Sequence, residues 1–258
     1  MHAVALTAGT AARTPLLVWR RVLPAPERGT GSSAAREQQR GAARRALVAA
    51  VAGIGLVPRA VSAPGRPGLD APRGARLLAW DGRLLRPAVQ FSIAHTRHHA
   101  LVAVRLADGP DGRATGLGVD AEDDWAAARR NLRLFGTEEE LQAVRGVHGP
   151  AEPVHLWCAK EALAKASGSG FRVPPRRFRI AAAGAPRVLT VEIGTGEHDH
   201  EAVPQPFRLR AGTRPTTPPT AWAVVELPLS GRGPIRRREA AGRNAAEHHS
   251  AHAESEPR

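Results

Sequence analysis

Asp120 and Glu122 stand two residues apart at the end of an apolar stretch, Gly116 to Asp120, that reads as a strand. The two-residue period of a strand turns both carboxylates to the same side of a sheet. Paired carboxylates demand a cation. Further along, the run Trp157-Cys-Ala-Lys160-Glu161-Ala-Leu-Ala-Lys165 has helical character, with Glu161 and Lys165 one turn apart and sharing a face with Trp157 and Cys158. A surface helix segregates apolar from charged groups, and this stripe does not. It is either a Glu–Lys surface pair beside a buried tryptophan or the lining of a site. Three carboxylates without a histidine or cysteine partner are hard oxygen donors, which suit magnesium better than zinc. Magnesium implies phosphate. With two nearby lysines, a basic helix and His95 at a strand end, the constellation suits a substrate carrying a diphosphate.

The elements that must position these residues are legible in outline. Leu16 to Val22 is a strand candidate, and the Pro/Gly/Ser-rich stretch from Pro24 to Ser33 reads as a loop. From Ser33 to Gly53 a helix is expected, with Arg36, Arg40, Arg44 and Arg45 on a basic face and Ala46, Leu47, Ala50 and Val51 on a buried one. Pro58 to Gly74 reads as a second loop. Val89 to Ile93, Ala100 to Leu106 and Gly116 to Asp120 are strand candidates, the last two separated by the turn signal Asp108-Gly-Pro-Asp-Gly. Thr137 with Glu140 forms a capping box for a helix over Glu138 to Val147, and Pro153 opens another that runs to Ser167 and stops at Gly168. Arg187 to Ile193, Phe207 to Arg210 and Ala221 to Leu227 complete the strands. From Ser230 onward no core-forming period remains, and a disordered tail is expected over residues 230–258. The order of elements predicts an α+β fold in two halves, residues 1–110 and 111–229.

Composition bounds the function. With 258 residues, 42% of them hydrophobic, the chain has enough length for one substantial core or two small ones. Cys158 is the only cysteine, which excludes an internal disulfide framework and multi-cysteine metal clusters and fits a reducing cytosol. The longest apolar run, Ala46 to Val57, falls short of the roughly 20 residues that cross a bilayer, so a soluble, cytoplasmic protein is expected. The net charge of +13 points to an anionic partner. All but two of the 37 basic residues are arginine, and a lysine that persists at 160 or 165 suggests a place where a compact ammonium is needed. His95, His98 and His99 do not suit one metal site, because adjacent strand residues face opposite sides. Cys158 is read as a packed helix residue, and Trp125 and Trp222 as core or cleft wall.

Three blocks carry a family resemblance. Phe91-Ser-Ile-Ala-His95-Thr, Gly118-Val-Asp120-Ala-Glu122, and Trp157-Cys-Ala-Lys160-Glu161-Ala-Leu-Ala-Lys165-Ala-Ser-Gly168-Ser-Gly170 resemble, in order and spacing, the signature blocks of the Sfp-type 4′-phosphopantetheinyl transferases. The resemblance extends from about Arg36 to Leu227. It implies a pseudo-twofold pair of α/β halves, each a small, mostly antiparallel sheet with packed helices, and coenzyme A in the cleft between them. It further implies that Asp120, Glu122 and Glu161 hold magnesium on the diphosphate, that Arg36 and His95 contact the adenosine 3′-phosphate end, and that Lys165 contacts the diphosphate. Glu161 would be the base for a carrier-protein serine, directly or through water. Thr96 and Ala121 replace the family's usual Ser and Ile. The nucleotide-contacting Gly-Lys/Arg-Pro element is matched only by Arg86-Pro87, which lacks the preceding glycine, with Gly65-Arg66-Pro67 as a distant rival. The implied protein is monomeric, works on acidic acyl or peptidyl carriers, and belongs to secondary-metabolite biosynthesis. Two other readings stand beside it. A basic nucleic-acid-binding protein is favoured by charge but has no recognisable motif, and a magnesium-dependent phosphohydrolase would need no carrier.

Overall fold

The computed structural model describes residues 15–21, 32–54, 67–68, 79–80, 83–84, 88–107, 115–183, 189–194 and 204–228. Arg66, Arg86 and the tail over residues 230–258 lie outside them. Among the described residues no helix is long and apolar enough to cross a membrane. The chain is α+β, with two principal antiparallel sheets and helices packed on them.

The first sheet has β1 (Leu16–Arg21), β5 (Val89–His95) and β6 (His99–Leu106) in the order β1-β6-β5. The β5–β6 hairpin is closed by Thr96, whose Oγ1 accepts hydrogen bonds from the His98 and His99 amides at 3.1 Å each. Helix α1 (Ser32–Gly53) covers one face of this sheet. Its Ala46, Leu47, Ala50 and Val51 recur at helical spacing, are fully buried, and pack on Val89, Phe91, Val102 and Val104. Burying a valine or leucine side chain contributes about 1.5–3 kcal/mol, so this stripe holds α1 in place.

The second sheet has β7 (Thr115–Glu122), β8 (Phe178–Ala182), β9 (Leu189–Ile193), β10 (Gln205–Arg214) and β11 (Thr220–Pro228) in the order β7-β11-β10-β9-β8. The helices α2 (Trp125–Arg130), α3 (Leu132–Phe135), α4 (Glu138–His148) and α5 (Pro153–Ala166) follow β7 in sequence, and α5 lies on β7 and β11. Period-two alternation sorts the residues of β7. Leu117, Val119 and Ala121 join Ala94, Leu101, Ala103 and Val224 in a core between the two sheets, while Gly116, Gly118, Asp120 and Glu122 belong to the opposite face. Arg105 crosses the same interface: its buried guanidinium binds Gln90 Oε1 at 2.6 and 2.8 Å and Glu226 Oε2 at 3.1 Å.

Some elements differ from the sequence expectation. The stretch 58–74, read as loop, contains β2 (Pro67–Gly68), which pairs with β3 (Ala79–Trp80), itself paired with β4 (Arg83–Leu84). Two-residue strands are too short for a period to register. The helices α2 and α3 and the strand β8 are additions to the expected order. In β8 only Phe178 and Ile180 point inward, within a basic segment. The helix expected from Ser33 begins at Ser32, and β10 runs well beyond Phe207 to Arg210 at both ends.

Candidate active site

The helix α5 carries Glu161 and Lys165, and its seat on β7 is set by two glycines. A Cβ on Gly118 would run into the Ala162 carbonyl oxygen, and one on Gly116 into that of Ala166. Helix backbone therefore rests directly on strand backbone. This close approach brings Lys165 Nζ to 2.7 Å from Asp120 Oδ1.

Glu161 is buried, only 6% exposed. Burial, and then the charge of Asp120, push its carboxyl up to about 7, opposed by Lys165. Asp120 and Glu161 are thus electrostatic neighbours. The Glu–Lys surface pair that spacing alone permits does not form here, since Lys165 turns to Asp120 and to the carbonyls of Val119 at 2.9 Å and Ile93 at 3.4 Å. All three ammonium hydrogens are committed. The diphosphate contact that the resemblance implies requires one to be exchanged, and the longest, to Ile93, is the weakest held.

Glu122 is bonded within its own turn. Its Oε1 accepts from the Asp123 amide at 2.7 Å and the Asp124 amide at 2.9 Å, closing the turn into α2. Among the described residues no three acidic, histidine or cysteine side chains are gathered into a ready metal cage. The donor chemistry nevertheless fits a hard divalent cation. Asp120 and Glu161 repel each other in a buried place, and Asp123 Oδ2, next to Glu122, is buried without a hydrogen-bond donor among the described residues. Glu122 also acts at short range: with Asp120 it raises the Cys158 thiol, whose pKa burial already drives well up. Cys158 is fully buried, with Sγ near the Ala221 carbonyl, and is inert packing.

His95 is exposed at the end of β5, two residues past Ile93, and therefore lies at the same end of the sheet interface as Lys165. Gln39 of α1 donates to Thr96 O at 3.2 Å, which brings the helix to this turn; Arg36 lies three residues earlier on α1. The structure thus brings Asp120, Glu161 and Lys165 into one cluster, with Glu122 at its edge and His95 across the interface.

The surrounding aromatic groups are structural. Trp157 meets Phe135 edge-on at 4.9 Å, Trp125 Nε1 donates to Pro219 O, and Trp222 packs between the sheets. Lys160, adjacent to Glu161, is fully buried in an ion pair with Glu140. Sequence reasoning missed Gly116 and Gly118 as the helix seat, Ser92 as a bond across the sheets, and Asp123 beside the acidic pair. Only the Gly-x-Gly spacing ahead of Asp120 offered a signal.

Residues 116–205, about a third of the chain, match the family model of the 4′-phosphopantetheinyl transferase superfamily. The matched segment contains β7 from its second residue, the helices α2 to α5, β8 and β9. It includes Asp120, Glu122, Glu161 and Lys165 and supports phosphopantetheine transfer in general. No curated protein matches the chain.

Proposed function

From this match and the geometry beneath it, we propose that the protein transfers the 4′-phosphopantetheine arm of coenzyme A to a serine of an apo acyl or peptidyl carrier protein, releasing adenosine 3′,5′-bisphosphate. The observation that carries the reading is Glu161, buried beside a half-buried Asp120 with Lys165 against it, inside the segment matched by the superfamily.

A serine hydroxyl is a poor nucleophile at neutral pH and needs a base. Glu161, directly or through a water, takes the hydroxyl proton. The serine oxygen forms a bond to the β-phosphorus, the bond from that phosphorus to the bridging oxygen breaks, and the bisphosphate leaves with the electron pair. Magnesium, held by Asp120, Glu122 and Glu161, would neutralise the diphosphate oxygens. Lys165 keeps a cation beside the cluster as charge builds on the leaving oxygen, which favours the transition state over the ground state. In this reading His95 and Arg36 contact the 3′-phosphate end, and Arg86, with Arg66 as its rival, contacts the nucleotide. Carriers are acidic proteins, and a chain of net charge +13 would speed their encounter.

Incubation with coenzyme A, magnesium and a panel of fatty-acid, polyketide and nonribosomal-peptide apo carriers, read by intact mass, tests the reading. The expected result is the gain of one phosphopantetheine on at least one carrier. Cleavage of coenzyme A without any carrier would point to a phosphohydrolase instead, and no change in either substrate would sink the proposal.

A further inference from the structure

We propose that Lys165 is a positioning residue that clamps the first sheet onto the second at the mouth of the site. Among the described residues, β5 and β7 are both sheet edges and share no ladder. Side chains fasten them instead. At one end, Gln90 Nε2 and Arg105 Nη2 donate to Thr115 O at 2.7 and 3.0 Å. In the middle, the Val119 amide donates to Ser92 Oγ at 3.0 Å. At the other end, the Lys165 ammonium joins Ile93 O of β5 to Val119 O of β7. The partners advance together along both strands, so Lys165 is the last of these fastenings before His95 on one side and Asp120 on the other.

An edge carbonyl in a partly buried interface needs a donor, and Lys165 supplies one to each strand while its third hydrogen holds Asp120. Three convergent bonds from a single compact nitrogen suit an ammonium and not a planar guanidinium. This accounts for a lysine in a chain whose basic residues are otherwise almost all arginine. The clamp sets the spacing between the His95 end of β5 and the Asp120 end of β7. If coenzyme A spans the two, as the proposed function has it, that spacing decides whether one molecule can reach both. The consequence for coenzyme A rests on the transfer reading; the clamp itself does not.

Amide hydrogen exchange on the full chain, free of substrate and metal, tests the clamp. K165M keeps the bulk of the stem and removes the donors. The Val119 amide should then exchange at least about tenfold faster while amides within α4 keep their rates. An unchanged Val119 rate overturns the clamp, and so does an equal acceleration everywhere, which would mean only a general loss of stability. K165Q is the second variant, with the same readout, should K165M not fold. K165R should leave Val119 fast; restoration of the wild-type rate would overturn the need for an ammonium. In binding, K165M should weaken coenzyme A about tenfold or more and leave adenosine 3′-monophosphate, which reaches only the His95 end, unaffected. Equal weakening of both would overturn the spacing role. The two proposals fail separately: a wild-type chain that modifies no carrier defeats the transfer and leaves the exchange result standing, whereas normal transfer with unaltered Val119 exchange in K165M defeats the clamp alone.

Discussion

Lys160 Nζ lies 2.6 Å from Glu140 Oε1, tying the middle of α5 to the first turn of α4. The lysine is wholly buried, and the same carboxylate accepts from the Ile180 amide of β8 at 2.9 Å and from the Thr137 amide of the capping box at 2.9 Å. Removing one partner of a buried pair leaves the other uncompensated, at a cost of about 3–5 kcal/mol. E140A should therefore be more damaging than K160M, because it strands the ammonium and breaks the cap, whereas K160M leaves Glu140 with two amide donors. The K160M/E140Q double variant should lose less than the sum of its singles. Midpoints of denaturant unfolding decide this, and strict additivity would show that the pair is not coupled.

Gly118→Ala should separate geometry from stability. Its Cβ would meet the Ala162 carbonyl, so α5 must retreat from β7 and carry Glu161 away from Asp120. A displacement of this kind can cost about a hundredfold in rate. Gly146→Ala, within α4 and with nothing near its Cβ, should instead add about 0.5–1 kcal/mol of stability and leave transfer unchanged. Similar activities in the two variants would mean that the glycine seat does not position the site.

On the proposed reading, D120A should abolish metal-dependent transfer, with a fall of about a thousandfold or more, since it would remove a cation ligand together with the partner of Lys165. Chelation of the wild type should have the same effect, and magnesium should restore the wild type and not the variant. Full activity in D120A would remove that residue from the site.

His155 should make the fold acid-sensitive. Its Nδ1 accepts from the Glu152 amide at 3.0 Å, so the proton sits on Nε2, 3.0 Å from Thr213 Oγ1. Burial lowers its pKa below the usual 6.5, partly offset by Glu152, and burial also lowers that of nearby His148. The folded state thus binds fewer protons than the unfolded chain just below pH 6.5. Stability is fully present above that pH and erodes as pH falls from 6.5 through the lowered folded value. H155Q should flatten the decline, leaving the share of His148. Identical pH profiles of unfolding for H155Q and wild type would exclude His155 as the cause.

The acidic site is partly legible in the sequence. A period of two places Asp120 and Glu122 together, and a period of 3.6 places Glu161 one turn from Lys165. Tertiary facts are not legible there. That Lys165 serves Asp120 and two carbonyls, and that Glu122 turns back to cap its own loop, depends on how α5 settles on β7. The capping box at Thr137 and the alanine stripe of α1 carry local signals and form where expected. The helix α2 also carries one, Asp124, whose Oδ1 accepts from the Ala127 amide, but six residues give too little periodicity to weigh. The Lys160–Glu140 pair spans twenty residues and two helices, a distance at which spacing says nothing.

The position of β11 bears on synthesis. Among the described residues, the strand that carries Asp120 and Glu122 finds its only ladder partner in residues 220–228, which also hold Glu226 for the Arg105 guanidinium. A nascent chain leaving the ribosome therefore completes the helices over the acidic strand long before that strand is paired. A chain released early would expose an open sheet edge and a buried arginine without its carboxylate. Competence waits for residues 220–228.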